Sequence, residues 1–135
     1  MTYEDHNAVG GLGSAVAGVV LENSPVPVLR FGVPDVVVYH ASARVRGPIA
    51  EADPEAAARA IAVSAYGGFL VGQQAARYML TRGNGAILFT GASASVKGYP
   101  HSAIFAMGKF ALRGLAQSMA RELAPQGIHV AHFVI

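Results

Sequence analysis

Val36-Val37-Val38-Tyr39 is a continuous β-branched and aromatic run, set off on its N-terminal side by Gly32-Val33-Pro34-Asp35. A strand with one solvated face would alternate apolar and polar residues, whereas an unbroken run fits a strand covered on both faces of a parallel sheet. Toward the C-terminus, Asp53-Pro54 supplies an N-cap followed by proline at the first helical position, and a helical pattern runs from there to Arg82, interrupted or bent at Gly67-Gly68. Asn84-Gly85 turns into a second strand, Ala86 to Thr90, followed by the small-residue loop Gly91 to Ser95. Helix resumes near Ala103, where Leu112, Leu115, Met119 and Leu123 recur at helical spacing; Pro125 and Gly127 end it, and Ile128 to Ile135 is again strand-like. Toward the N-terminus, Val26 to Phe31 is a strand candidate and Gly13 to Glu22 a short helix stopped by Asn23-Ser24-Pro25. Strands alternating with helices specify right-handed βαβ units, hence an α/β three-layer sandwich on a parallel sheet of about five strands, incomplete at its edges.

A length of 135 residues, 53% hydrophobic and only 13% charged, supplies one well-filled core and excludes extensive disorder. With no cysteine, disulfide scaffolds, thiolate chemistry and iron–sulfur clusters are excluded, and a reduced cytoplasmic setting is expected. Formal charge is −3 over residues 1–67 and +5 over 68–135, but the later basic residues are spread singly, so no nucleic-acid partner is expected. The longest uncharged run, Ala60 to Ala76, has 17 residues including three glycines, too short and too polar for a membrane span. No basic residue precedes Arg30, so the N-terminus does not read as a secretory signal. No metal site is expected: His129 and His132 lie on opposite faces of a strand, and Glu4-Asp5-His6 reads as strand-end polar residues.

Residues 35–135 resemble the later half of a short-chain dehydrogenase/reductase, the Rossmann-fold family that uses NAD or NADP. Asp35 to Ser42 (DVVVYHAS) is similar to the family's fourth strand and Asn-Asn-Ala-Gly turn, and Ala86 to Gly91 to the fifth strand, which leads into the catalytic serine. Phe105 to Lys109 (FAMGK) stands where the family has Tyr-x-x-x-Lys, and Ala111 to Val134 resembles the following helix and sixth strand. The resemblance implies a cofactor cleft including Gly11, Gly13, His40, Ala41, Ser42 and Lys109, the lysine pairing with the nicotinamide ribose. Without a cofactor, Lys109 would be a solvated helix lysine and His40 a loop histidine satisfied by backbone. The resemblance also implies a homodimer packed through helices 60–82 and 103–124.

In that motif, tyrosine and lysine four residues apart share a helical face; the ammonium lowers the phenol pKa and the phenol serves as general acid or base. This chain has Phe105 at the tyrosine position, Ala92 at the serine position and Ser64 at the position of the family's asparagine, so that only Lys109 matches. A phenyl ring exchanges no proton, which predicts impaired or absent hydride chemistry. Ser93, Ser95 and Tyr99 are the candidate substitutes. The loops Ala43 to Ile49 and Ser93 to Ser102 enclose a small apolar pocket for a substrate of unknown identity, with Arg44, Arg46 and Lys97 at its rim.

Residues 4–35 resemble the start of a transketolase C-terminal domain, in which a Glu-Asp-His segment ends a strand, Gly-Gly-Leu-Gly-Ser-Ala-Val begins a helix and Pro-Val-Pro-Val-Leu-Arg leads into the next strand. Gly11 and Gly13 also mimic the end of the dehydrogenase family's glycine-rich turn, although Met1 to Glu4 falls short of a first strand. The expected organisation is therefore a transketolase-like segment over 1–34 and a dehydrogenase-like half-domain over 35–135, folded as one unit. Three functions are consistent with it: an NAD(P)-dependent oxidoreductase weakened in its chemistry, a non-catalytic nucleotide-sensing or dimerisation module, and a transketolase-like accessory domain.

Overall fold

The structure, a computed structural model, describes residues 2–3, 30–31 and 35–135. Strand β1 (Thr2–Tyr3) pairs in parallel with β2 (Arg30–Phe31), so the N-terminus does contribute a short strand, contrary to the reading of Met1 to Glu4. The main sheet has three parallel strands, β3 (Val36–Tyr39), β4 (Gly85–Thr90) and β5 (Ile128–Phe133), with β4 in the centre. Val37 aligns with Ile87 and Ile87 with Val130, so these residues share one face of the sheet.

The connections are helical for the reasons legible in their sequence. Helix α1 (Pro54–Ile61) begins with Asp53 as N-cap, its carboxylate accepting from the backbone N–H of Glu55 and Ala56 at 3.1 Å each. A π-helical turn, Ala62–Tyr66, then leads into α2 (Gly67–Arg82), which closes on Gly83 in the left-handed conformation. The interruption expected at Gly67-Gly68 is thus the π turn just before it; the glycines serve close packing instead, since a Cβ on Gly68 would collide with the Leu112 side chain. Helix α3 (Ala103–Leu123) returns the chain to β5 through Gly127, whose φ of 82° turns the backbone where a side chain would strike the Gly83 carbonyl.

Val71, Ala75 and Met79 of α2 and Leu112, Ala116 and Leu123 of α3 pack with Val37, Tyr39, Ile87, Phe89, Ile128 and Val130 in one core. Both helices therefore cover the same sheet face. On the other face Val36 and Val38 are each 50% exposed, so among the described residues β3 is buried on one face rather than two. The helix expected over Gly13 to Glu22, most of the strand expected over Val26 to Phe31, and the transketolase-like segment lie outside the described residues. The parallel strand–helix–strand order expected of a Rossmann-like sheet is present over three strands.

Candidate functional site

The C-terminal ends of β3 and β4 and the N-terminal half of α3 converge on two adjoining cavities. The inner one, about 420 Å³, is bounded by His40, Ser42, Thr90 to Ser93, Phe105 and Lys109. The outer one, about 490 Å³, is bounded by Arg46, Ser93, Tyr99, His101, Ser102 and Phe105. Arg44, Ser93 and Phe105 line both, so the Phe105 ring stands between them.

Lys109 is 3% exposed, which overturns its reading as a solvated helix lysine. Its Nζ donates to the Thr90 carbonyl at 2.9 Å and lies 5.9 Å from the centre of the Phe105 ring, one helical turn back. Burial, and after it the Arg44 cation, hold the ammonium below the usual lysine pKa. His40 Nδ1 lies 3.2 Å from the Thr90 hydroxyl, so this histidine is satisfied by a side chain rather than by backbone. Thr90 organises both groups through one oxygen each, a role that no local motif assigns. Ala41 packs against the core at the strand end while Ser42 faces the cavity.

The loop after β3 is pinned to the π turn. The Ser64 hydroxyl, at the position of the family asparagine, accepts from the Ala43 N–H at 3.1 Å and donates to the Ala43 carbonyl at 3.4 Å. Gly108 permits this, because a Cβ there would stand 2.9 Å from Ser64 Cβ. Beyond Ala43, Arg44 lies over the Phe105 ring, its guanidinium carbon 4.2 Å from the centroid. This stack went unrecognised in the sequence, where Arg44 stood only at a rim.

The candidate substitutes separate in space. Ser93 lines both cavities and Tyr99 only the outer one; the Ser93 hydroxyl, and then Lys97, hold the exposed Tyr99 phenol below its ordinary pKa. Lys97 Nζ stands 5.1 Å from the Tyr99 ring. Ser95 is no substitute: fully buried, its hydroxyl accepts from the Ala92 N–H at 3.0 Å and shapes the turn. His129 and His132 project to opposite faces of β5, His129 exposed and His132 against Gly91. Gly11 and Gly13 lie outside the described residues.

These residues suit the nicotinamide end of a dinucleotide. Lys109 keeps donors beyond the one given to Thr90, and Ser42 adds a hydroxyl. The site contains no proton-exchanging group at position 105 or 92.

The short chain dehydrogenase family profile matches residues 28–134. Human 17-beta-hydroxysteroid dehydrogenase type 1 is 33% identical over 97 residues, covering 72% of this chain and 30% of that enzyme. A short-chain dehydrogenase from Rhodopseudomonas palustris superposes with a TM-score of 0.73 at 31% identity, over 98% of this chain and 70% of its own. Gluconate 5-dehydrogenase from Burkholderia cenocepacia, in complex with NADP and tartrate, gives 0.76 at 27% identity over 90% and 46%. The chain thus spans less than a third of the human enzyme and under half of the Burkholderia one. These matches extend the dehydrogenase likeness back from residue 35 to residue 28 and, in the Rhodopseudomonas superposition, across nearly the whole chain, and none shows a transketolase likeness. From β3 to β5 this chain belongs to the short-chain dehydrogenase family, whose cofactor is NAD or NADP.

Proposed function

We propose that this chain binds NAD or NADP and carries the nicotinamide-side part of an oxidoreductase site whose proton-transfer position is vacated by Phe105 and Ala92. The observation that carries the reading is Lys109, 3% exposed yet directed at a cavity shared with His40 and Ser42. A buried ammonium with a single neutral carbonyl partner is costly. Ribose hydroxyls would give its remaining donors acceptors, and His40, Ala41 and Ser42 would border the bound dinucleotide, with Gly11 and Gly13 at its pyrophosphate. The bound cofactor would supply or accept a hydride. Opposite it Phe105 excludes water and supports Arg44 but exchanges no proton; Ser93 and Tyr99 are the hydroxyls nearest to serving instead.

Titration with NADPH and NADH, followed by cofactor fluorescence and competed with NADP and NAD, tests this. Saturable binding, weakened about tenfold by Lys109→Met through loss of a charge-assisted hydrogen bond, is expected. Absence of saturation in a folded protein would refute it.

Phe105 favours a second reading, a non-catalytic nucleotide-sensing or dimerisation module; cofactor binding without turnover on any carbonyl would select it. The transketolase-like accessory function gains no support from the comparisons. We also propose a homodimer through helices 60–82 and 103–124 in a cytoplasmic setting. Tyr66 and Phe69 stack with ring centres 6.0 Å apart, and Tyr66, Phe69, Leu80, Met107 and Phe110 are each at least 40% exposed on these helices. Light scattering should give twice 13.9 kDa. Among the described residues no helix is long and apolar enough to cross a membrane.

A further inference from the structure

Among the described residues the outer cavity presents cations without counter-charge. Arg44 and Arg46 line it together with His101, and no carboxylate is among its lining residues. The acids that do form ion pairs lie elsewhere: Asp53 and Glu55 hold Arg59, and Asp35 holds Arg82. Among the described residues neither Arg44 nor Arg46 has a carboxylate or hydrogen-bond partner, and Arg44 lines the inner cavity together with the buried ammonium of Lys109. The Arg44 guanidinium carbon and the Lys109 Nζ lie 4.2 and 5.9 Å from the centre of the Phe105 ring, a closeness of two cations that mutual repulsion disfavours until an anion enters.

The cavity is also built rather than incidental. The Gly47 N–H donates to the His101 carbonyl at 3.1 Å, tying the arginine loop to the loop before α3. His101 adopts φ 59°, a left-handed conformation that a non-glycine residue keeps only where its surroundings fix it. The Arg44 guanidinium carbon lies 4.2 Å over the Phe105 ring, and among the described residues its N–H groups have no acceptor, which leaves them for paired hydrogen bonds to a carboxylate or phosphate.

We infer that the outer cavity is an anion site, held by Arg44 and Arg46 with Ser93, Tyr99 and Ser102 as neutral donors, and that it takes the carboxylate or phosphate of an anionic substrate. This rests on the oxidoreductase reading for the word substrate, but not for the binding itself. Ser93, which borders both cavities, would then lie between the anion and the group presented to the inner cavity.

Calorimetric titration of the whole chain at pH 7.5 and low salt with malonate, inorganic phosphate and neutral malonamide tests the inference. Malonate or phosphate should bind saturably and malonamide should not, and the tighter of the two anions identifies which group the site prefers. Arg44→Gln should weaken the anion about tenfold and Arg46→Gln severalfold, while Arg46→Gln, outside the inner cavity, should leave the NADPH affinity within twofold. Equal binding of malonamide, no anion binding by the folded protein, or undiminished binding in the double variant would overturn the inference. NADPH titration of the same samples separates the two readings. Anion binding without NADPH binding would sustain the anion site and reject the oxidoreductase reading, and NADPH binding without anion binding would do the reverse.

Discussion

The two sides of Phe105 treat charge in opposite ways. Toward the inner cavity and the core, two titratable groups are buried and tied to backbone: Lys109 to the Thr90 carbonyl and Tyr39 to the Val63 carbonyl. Their pKa values move as burial dictates, the lysine down and the tyrosine up to about 12. Toward the outer cavity Arg44, Arg46 and Lys97 stand exposed. Burial tunes a proton; exposure leaves a charge open to a ligand. On the proposed oxidoreductase reading, Phe105 stands where proton exchange would occur.

The largest effect should follow from supplying that group. Phe105→Tyr with Ala92→Ser places a phenol one helical turn from Lys109 and a hydroxyl beside it. General acid catalysis contributes roughly 10²–10⁴-fold, so NADPH oxidation with a panel of carbonyl compounds should rise by about that factor over the parent. If cofactor binds but the doubly substituted protein remains as slow as the parent, the inner cavity is not a reduced active site, and the sensing reading prevails.

The inner side was more legible in the sequence than the outer. Order of elements from Asp35 onward could be read because β-branched runs, Asp53-Pro54 and Pro125 with Gly127 are local signals acting within a few residues of where they stand. Lys109 could be located by the resemblance of Phe105 to Lys109 to the family motif, but its burial could not, since that depends on α3 lying over the end of β4. Ser95 and Ser93, two residues apart in one small-residue loop, look equivalent in sequence; a tight turn buries one and presents the other to both cavities. The stack of Arg44 on Phe105 joins residues far apart in the chain, and the hydrogen bond from Gly47 to His101 is likewise invisible to any local pattern. The π turn replaced the expected glycine break because Ser64 has to reach the loop at Ala43 while Gly68 meets Leu112.

A second effect tests the inner side through Tyr39. Its phenol titrates near 10 in the unfolded chain and near 12 in the folded one, so above pH 10 the folded state retains a proton that the unfolded state has lost. The stability from this group is complete below pH 10 and disappears as pH rises toward 12, a loss on the order of 2–3 kcal/mol. Tyr39→Phe should be about 1 kcal/mol less stable at pH 8, having lost the hydrogen bond to Val63, and should lack this alkaline loss. Urea midpoints at pH 8 and 11.5 measure it; equal alkaline losses in both proteins would place the phenol in solvent.

The smallest effect, and the one that connects the two sides, is felt at Lys109. Because the Arg44 cation acts on the ammonium, Arg44→Gln should raise the Lys109 pKa toward its ordinary 10.5 without exposing the side chain. The chain has only two lysines, so the ε-methylene carbon resonances of Lys109 and exposed Lys97 can be followed together by NMR, Lys97 serving as the reference. The linkage has a definite sign. Between the depressed folded pKa and 10.5 the unfolded chain binds more protons than the folded one, so Lys109 makes stability rise with pH in that window. Arg44→Gln narrows the window and flattens the rise, while the fall caused by Tyr39 above pH 10 is unchanged. Burial is the larger cause of the shift, so part of the depression should survive the substitution. A Lys109 pKa unmoved by Arg44→Gln would mean that the ring insulates the two cavities from one another, and that an anion in the outer one leaves the inner proton untouched.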